Sequence, residues 1–280
     1  MNKTIVNRVS RVGSDLLFCT LLYLAYFLII RTRPRRGGYF CADQSIRYPY
    51  YKDTVSTGQV IVYGFSIPTV TILLVEILTS LHLFLIERSK EVFYKMGFRI
   101  YNFVIVYIVA AGITSSLTEL FKRLILSPRP HLLDICQPNI TVGNCTGYAT
   151  EYECQGTNKK ALDDAFLSFP SGHASFILVA TTYTWLYLQE RLHLKYSPMV
   201  RPTIQTIYAC VGFYVMCTRL TDNKHHVPDV VAGSLLGAFC AITMFIYYLP
   251  RMDELTLWTD GERKGSSELN CRQRDRPETD

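Results

Sequence analysis

Eight residues in three short clusters carry the chemistry open to this sequence. Lys122 and Arg129 form the first, Ser171, Gly172 and His173 the second, and Arg219, His225 and Asp229 the third. Together they supply three fixed cations, a hydroxyl and amides at a helix start, two imidazoles and one carboxylate. That set suits holding a phosphate group and breaking its ester bond.

Each cluster has a local logic. Lys122 and Arg129 would share a face of a continuous helix, but Pro128 and Pro130 forbid one. A helix end followed by a turn that swings Arg129 back is expected instead. Arginine offers a planar fork for two phosphate oxygens, and lysine a compact charge. Pro170 fits the first turn of a helix, where its missing N–H costs nothing. The amides of Ser171, Gly172 and His173 are then expected to be unpaired, with glycine admitting an anion close to the backbone. Pro228 is expected to open a further helix with Asp229 in its first turn. His225, four residues earlier, comes within reach of that carboxylate. A carboxylate bonded to one imidazole nitrogen fixes the tautomer and leaves the other nitrogen free to attack. His226 has no evident partner at its spacing and is the weaker nucleophile.

The elements that position these residues are apolar. Of 280 residues 49% are hydrophobic, and they fall in six runs long enough to cross a bilayer, about 20 residues each. The runs lie near Leu16–Ile30, Ile61–Ile86, Ile100–Phe121, Phe169–Leu188, Thr203–Met216 and Val230–Leu249. The expected organisation is a cytosolic N-terminal tail, 1–14, a six-span domain, 15–249, and a disordered cytosolic tail, 250–280, polar and poor in large apolar residues. No internal repeat and no second domain is visible. Six spans place all three clusters on one membrane face.

Lys and Arg lean only weakly toward cytosolic termini. The loop 122–167 is better evidence, because it carries the sequons of Asn139 and Asn144 together with Cys136, Cys145 and Cys154. Glycans and disulfides belong to the lumenal or external face, so this loop and the clusters beside it are expected there. Cys41 makes a fourth thiol on that side, with the pairing open. Cys19, Cys210, Cys217 and Cys240 lie in or beside apolar runs and read as small core residues. The net charge of +6 is spread over membrane-flanking loops, which excludes a nucleic-acid-binding face.

The patterns K-x6-R-P (Lys122 to Pro130), P-S-G-H (Pro170 to His173) and R-x5-H-x3-D (Arg219 to Asp229) resemble the three-part motif of the type 2 phosphatidic acid phosphatase (PAP2) superfamily. The wider text, from Arg129-Pro130-His131-Leu132 to Ser168-Phe169-Pro170-Ser171-Gly172-His173, looks like its animal lipid phosphate phosphatase branch. The resemblance covers roughly Asp15 to Leu249. It implies an all-α, six-transmembrane bundle with a vanadium haloperoxidase-like core and a site at the extracytosolic face. It implies that His225 is the nucleophile that becomes a phosphohistidine, that Asp229 orients it, and that His173 is the acid and then the base. Lys122, Arg129, Ser171, Gly172 and Arg219 would hold the phosphoryl oxygens, with no metal and no cofactor. The implied activity is Mg-independent hydrolysis of phosphatidate, lysophosphatidate, sphingosine 1-phosphate or ceramide 1-phosphate in the outer or lumenal leaflet, with roles in phospholipid metabolism and lipid signalling. A catalytically silent lipid-binding relative and a phosphotransferase of the same superfamily are the alternatives. Thr218 replaces the family's usual serine, and Val227-Pro228 departs from its usual small pair. Family resemblance further implies a homo-oligomer. With no retention signal visible, the plasma membrane is expected ahead of the endoplasmic reticulum.

Overall fold

Apolar runs of this length wind into helices, which satisfy every backbone N–H and C=O within the segment. The computed structural model describes residues 3–32, 34, 37–139 and 145–274, with side chains described between 9 and 250. Six helices of 20 residues or more follow the six apolar runs: α1 (Lys3–Arg31), α2 (Thr57–Glu87), α3 (Glu91–Ile125), α6 (Gly172–Arg191), α7 (Val200–Thr221) and α8 (Val227–Arg274). Two short helices, α4 (Leu132–Cys136) and α5 (Lys159–Asp163), and two short strands, β1 (Tyr39–Phe40) and β2 (Tyr148–Ala149), lie between them. Among the described residues, α1, α2, α3 and α8 are long and apolar enough to cross a membrane.

The difference between six apolar runs and four such helices has a physical cause. α6 is the central helix and packs against α2, α3, α7 and α8. Its buried face carries Ser175, Thr181, Tyr183, Thr184 and Tyr187 beside its aliphatic residues. These hydroxyls bond inside the bundle, as Tyr183 does to the Phe103 carbonyl at 2.7 Å. α8 meets α6 through Gly233 and Gly237, whose Cα positions lie so close that an added Cβ would fall 2.4 Å from the Ser171 carbonyl oxygen and 2.2 Å from that of Ser175. Small residues four apart allow this backbone approach.

Local signals set the helix ends. Ser56 and Gln59 form a reciprocal capping box at the start of α2. Leu126 ends α3 in the left-handed region at φ 53°, its amide on the Lys122 carbonyl. α1 begins at Lys3, within the stretch read from sequence as a tail, and α8 continues past Pro250 to Arg274 through most of the stretch expected to be disordered.

At the end of the bundle formed by the start of α2, the end of α3 and the start of α6, a small cap sits over the helices. β1 pairs antiparallel with β2, with Tyr39 opposite Ala149. The disulfides Cys41–Cys145 and Cys136–Cys154 pair the four thiols that the sequence assigns to this side. Ile46, Leu132, Ile135, Ala165 and Phe166 form the cap's own core. Asn139 is exposed on the cap, its side-chain oxygen accepting from the Glu153 amide, while Asn144 lies outside the described residues. Of the free cysteines Cys240 is buried, but Cys210 lies on the exposed outer face of α7 and is no core residue.

Candidate active site

The first cluster is built by the end of α3. Lys122 is in its last turn, and the helix stops at Ile125, before Pro128. The chain then turns back as expected: the Arg129 amide donates to the Ala165 carbonyl at 2.9 Å, and the Ser168 amide to that of Ser127 at 3.1 Å. Lys122 pairs with Glu119 at 2.7 Å, and Arg123 shares that carboxylate.

The second cluster starts α6, two residues later than Pro170 predicts. Ser171 is the N-cap and Gly172 the first helical residue. Of the three amides expected to be free, that of Ser171 is taken by the Asp229 carbonyl at 2.9 Å. Those of Gly172 and His173 stand in the first helical turn, where no preceding helical carbonyl reaches them. A Cβ at position 172 would lie 3.0 Å from the Lys122 ammonium and would displace it.

The third cluster spans the turn from α7 to α8. Asn223 takes the left-handed conformation at φ 52°, and the Arg219 carbonyl accepts the amides of Lys224 and His225. Arg219 is 1% exposed and heavily engaged: Nη1 meets Asp53 at 2.8 Å, and Nη2 meets Asp222 at 2.9 Å and the Val55 carbonyl at 3.0 Å. Two carboxylates therefore fix its guanidinium, which the sequence left unpartnered. Thr218, the departure from the family's serine, keeps its hydroxyl on the same guanidinium at 3.2 Å.

Asp229 lies in the first turn of α8, as predicted, but its link to His225 differs from the expected hydrogen bond. Its Oδ2 is 3.9 Å from His225 Nδ1, too far to accept directly. Ser168 stands between them. Its carbonyl is 2.8 Å from His225 Nδ1, and its hydroxyl donates to Asp229 Oδ2 at 2.5 Å. A carbonyl only accepts, so Nδ1 carries the hydrogen and Nε2 keeps its lone pair. His226 does have partners: its amide donates to Asp229 at 2.9 Å, its Nδ1 lies 3.4 Å from the same carboxylate, and its Nε2 lies 3.1 Å from the Ser45 carbonyl. The bond to Asp229 raises the His226 pKa above the usual value. Asp229 is thereby held by the turn on both sides.

Six of the eight predicted residues, Lys122, Arg129, Gly172, His173, Arg219 and His225, line one cavity of about 440 Å³. Ser171 and Asp229 stand behind them. Burial holds the His225 imidazole well below its usual pKa, and the Arg129 and Lys122 cations push it further down. Among the described residues, four buried side-chain polar atoms have no hydrogen-bond partner, and three belong to the predicted set: Arg129 Nε, Ser171 Oγ and His173 Nε2. Buried polar atoms are normally paired, so these mark where a polar ligand is received. Three carboxylates nearby are engaged, Glu119 by Lys122, Asp53 by Arg219 and Asp229 by Ser168.

Sequence reasoning missed Asp53 and the linking role of Ser168, because they act across 166 and 57 residues through tertiary contacts. It missed Asp222 as well, although a carboxylate three residues after Arg219 was a local signal. It also missed Lys224, although a cation inside the Arg219–His225 interval was a visible signal. The cap contributes Asn158, Lys160 and Asp164 to the cavity wall.

The profile of the PAP2 superfamily matches residues 103–253. The chain is 36% identical over 233 residues to phospholipid phosphatase 2 of Rattus norvegicus, covering 82% of this chain and 83% of that one. It is 34% identical to phospholipid phosphatase 1 of Rattus norvegicus, over 82% of both chains. A putative phosphatidate phosphatase of Drosophila melanogaster is 31% identical over 85% of this chain and 68% of its own length. No solved structure matches.

Proposed function

The chain belongs to the PAP2 superfamily and is a phosphatase of membrane lipid phosphates, and on that premise we propose that it hydrolyses phosphate monoesters through a phosphohistidine on His225. The observation that carries this reading is the set of unpartnered Arg129 Nε, Ser171 Oγ and His173 Nε2 atoms, contributed by the first two clusters in and just behind the wall of the cavity that His225 lines.

His225 Nε2 attacks phosphorus while the P–O bond to the lipid alcohol breaks. Burial and the Arg219 cation hold the His173 pKa down to about 3. The entering phosphate dianion offsets that cation, so His173 takes up a proton, and as imidazolium gives it to the departing alkoxide. The imidazole then takes a proton from water, the resulting hydroxide attacks the phosphohistidine, and the P–N bond breaks to release inorganic phosphate. Lys122, Arg129, Arg219, Ser171 and the first-turn amides of α6 stabilise the charge on the transferring oxygens. Ser168 holds Nδ1 and so keeps Nε2 basic throughout.

Six helices are read as membrane spans, with α6 shielded by its neighbours. The cavity end faces the exterior or lumen, a side supported by two disulfides and by Asn139 on the cap above the cavity. Phosphatidate, lysophosphatidate, sphingosine 1-phosphate and ceramide 1-phosphate are the candidate substrates. A plasma-membrane homo-oligomer that needs no metal completes the reading.

The test is phosphate release from these four lipids by purified protein in EDTA, beside His225→Ala. Wild type should release phosphate and form an acid-labile phosphoenzyme, and the variant should do neither. Loss of activity on chelation, or undiminished turnover by His225→Ala, would overturn the mechanism.

A further inference from the structure

Within the R-x5-H interval stands a second cation, Lys224. It is buried, 3% exposed, and lines the cavity beside His225, Arg129 and Arg219. Its ammonium sits 3.7 Å from the centroid of the Tyr50 ring. Tyr50 is itself fixed from below: its amide donates to Asp134 at 2.8 Å, and its ring meets His131 edge-on at 5.1 Å. His131 is held by the Asn223 carbonyl at 2.6 Å, one residue before Lys224. The wall is therefore assembled from the segment before α2, the turn after α3 and the turn after α7.

The cavity's cations differ in what neutralises them. Glu119 serves both Lys122 and Arg123, and Arg219 is clamped between Asp53 and Asp222. Neither Arg129 nor Lys224 has a side-chain hydrogen bond or ion pair to any described residue. A phosphate monoester above its second ionisation brings two negative charges. Two cations with no carboxylate in direct contact, half-buried Arg129 and buried Lys224, match them, and an ammonium seated on an aromatic face needs no carboxylate to hold it in place.

We propose that Lys224 is a further phosphate-binding residue, supplying with Arg129 the charge that a dianionic phosphoryl group requires, and that the Tyr50 ring is the positioning residue that aims its ammonium. The proposal rests on the phosphatase reading above. Burial and the neighbouring Arg129 and Arg219 cations already lower the Lys224 pKa against the opposing pull of Asp53, as expected for an ammonium crowded by like charge. The bland alternative is that Lys224 only balances Asp53 and supports the turn.

Two measurements on the same preparations separate these. One is the KM and kcat for phosphatidate; the other is protection from thermal unfolding by inorganic phosphate at pH 8, which needs no turnover. In Lys224→Met, KM should rise and phosphate protection weaken on the order of ten- to a hundredfold, with a smaller change in kcat. Lys224→Arg should recover most of both, Tyr50→Phe should resemble wild type, and Tyr50→Leu should fall between. Lys224→Met with wild-type KM and wild-type protection would overturn the proposal, as would equal loss in Lys224→Arg and Lys224→Met together with a lowered melting temperature. His225→Ala tells this failure from failure of the underlying reading. It should retain phosphate protection while losing turnover, and introducing Lys224→Met into it should then remove the protection. If His225→Ala keeps full turnover, the phosphohistidine reading fails while the protection data still judge Lys224.

Discussion

At the residue scale, the site depends on Ser168 as much as on the residues that carry the motif. Its carbonyl accepts from His225, and its hydroxyl, 3.4 Å from the same ring nitrogen, donates to Asp229. Ser168→Ala keeps the first contact and removes the second, so turnover should fall on the order of tenfold, with the fold intact by melting. A drop as large as that of His225→Ala would mean that the hydroxyl does more than tie down Asp229. The low pKa of His225 gives a second expectation. Neutral imidazole is the reactive form, and a depressed pKa keeps it neutral to more acid pH. Inactivation by an imidazole-acylating reagent should therefore hold its rate below pH 6.5, the usual value for histidine, with the adduct mapped to His225. Arg129→Gln removes one of the cations that push the value down, so its midpoint should move upward. An unmoved midpoint would place Arg129 too far from His225 to act on it.

At the element scale, the start of α6 and the start of α8 form one unit. The Ser171 amide bonds the Asp229 carbonyl, and Gly233 and Gly237 keep the two helix backbones together just below. A methyl group at 237 must push against the backbone oxygen of Ser175 rather than a side chain that could turn away. Gly237→Ala should cost about 1–3 kcal/mol and lower activity as well, because the shift moves His225 and Asp229 relative to His173. A stable, fully active Gly237→Ala would show that the helices can part without disturbing the site. The three motifs were legible in the sequence because each is local, whereas the Gly-x3-Gly spacing of α8 gained meaning only from the close approach of α6. Arg219 shows what was not. Its motif position was plain, but its partner Asp53 is 166 residues away, and nothing in either neighbourhood announces the pair. Likewise Pro170 marks a helix start, while the offset to Gly172 depends on Ser171 reaching Asp229 in another helix.

At the scale of the whole molecule, charge is gathered at both ends of the bundle for different ends. Opposite the cavity, Glu76 on α2 is fully buried and meets Arg99 of α3 at 2.7 Å and Arg191 of α6 at 2.9 Å. Every partner there is satisfied within the bundle, so the cluster reads as a clasp between three helices. Glu76→Ala strands two arginines, which costs about 3–5 kcal/mol for a fully buried pair. Arg99 and Arg191 keep 17% and 28% of their side chains exposed, which argues for the lower end. Melting in detergent should drop accordingly while KM stays near wild type. A raised KM would reveal coupling along the helices between the two ends.

The Cys41–Cys145 bond also says something about how the chain is made. Its two sulfurs are separated by 104 residues, and in the proposed topology α2 and α3 both lie between them. Cys41 must therefore wait, reduced, until a full hairpin has entered the bilayer and the following loop has emerged. Closure of that bond is a receipt for correct insertion. In pulse-labelled chains truncated before Cys145, Cys41 should remain open to alkylation, and it should become protected only once the third helix and its loop have been delivered.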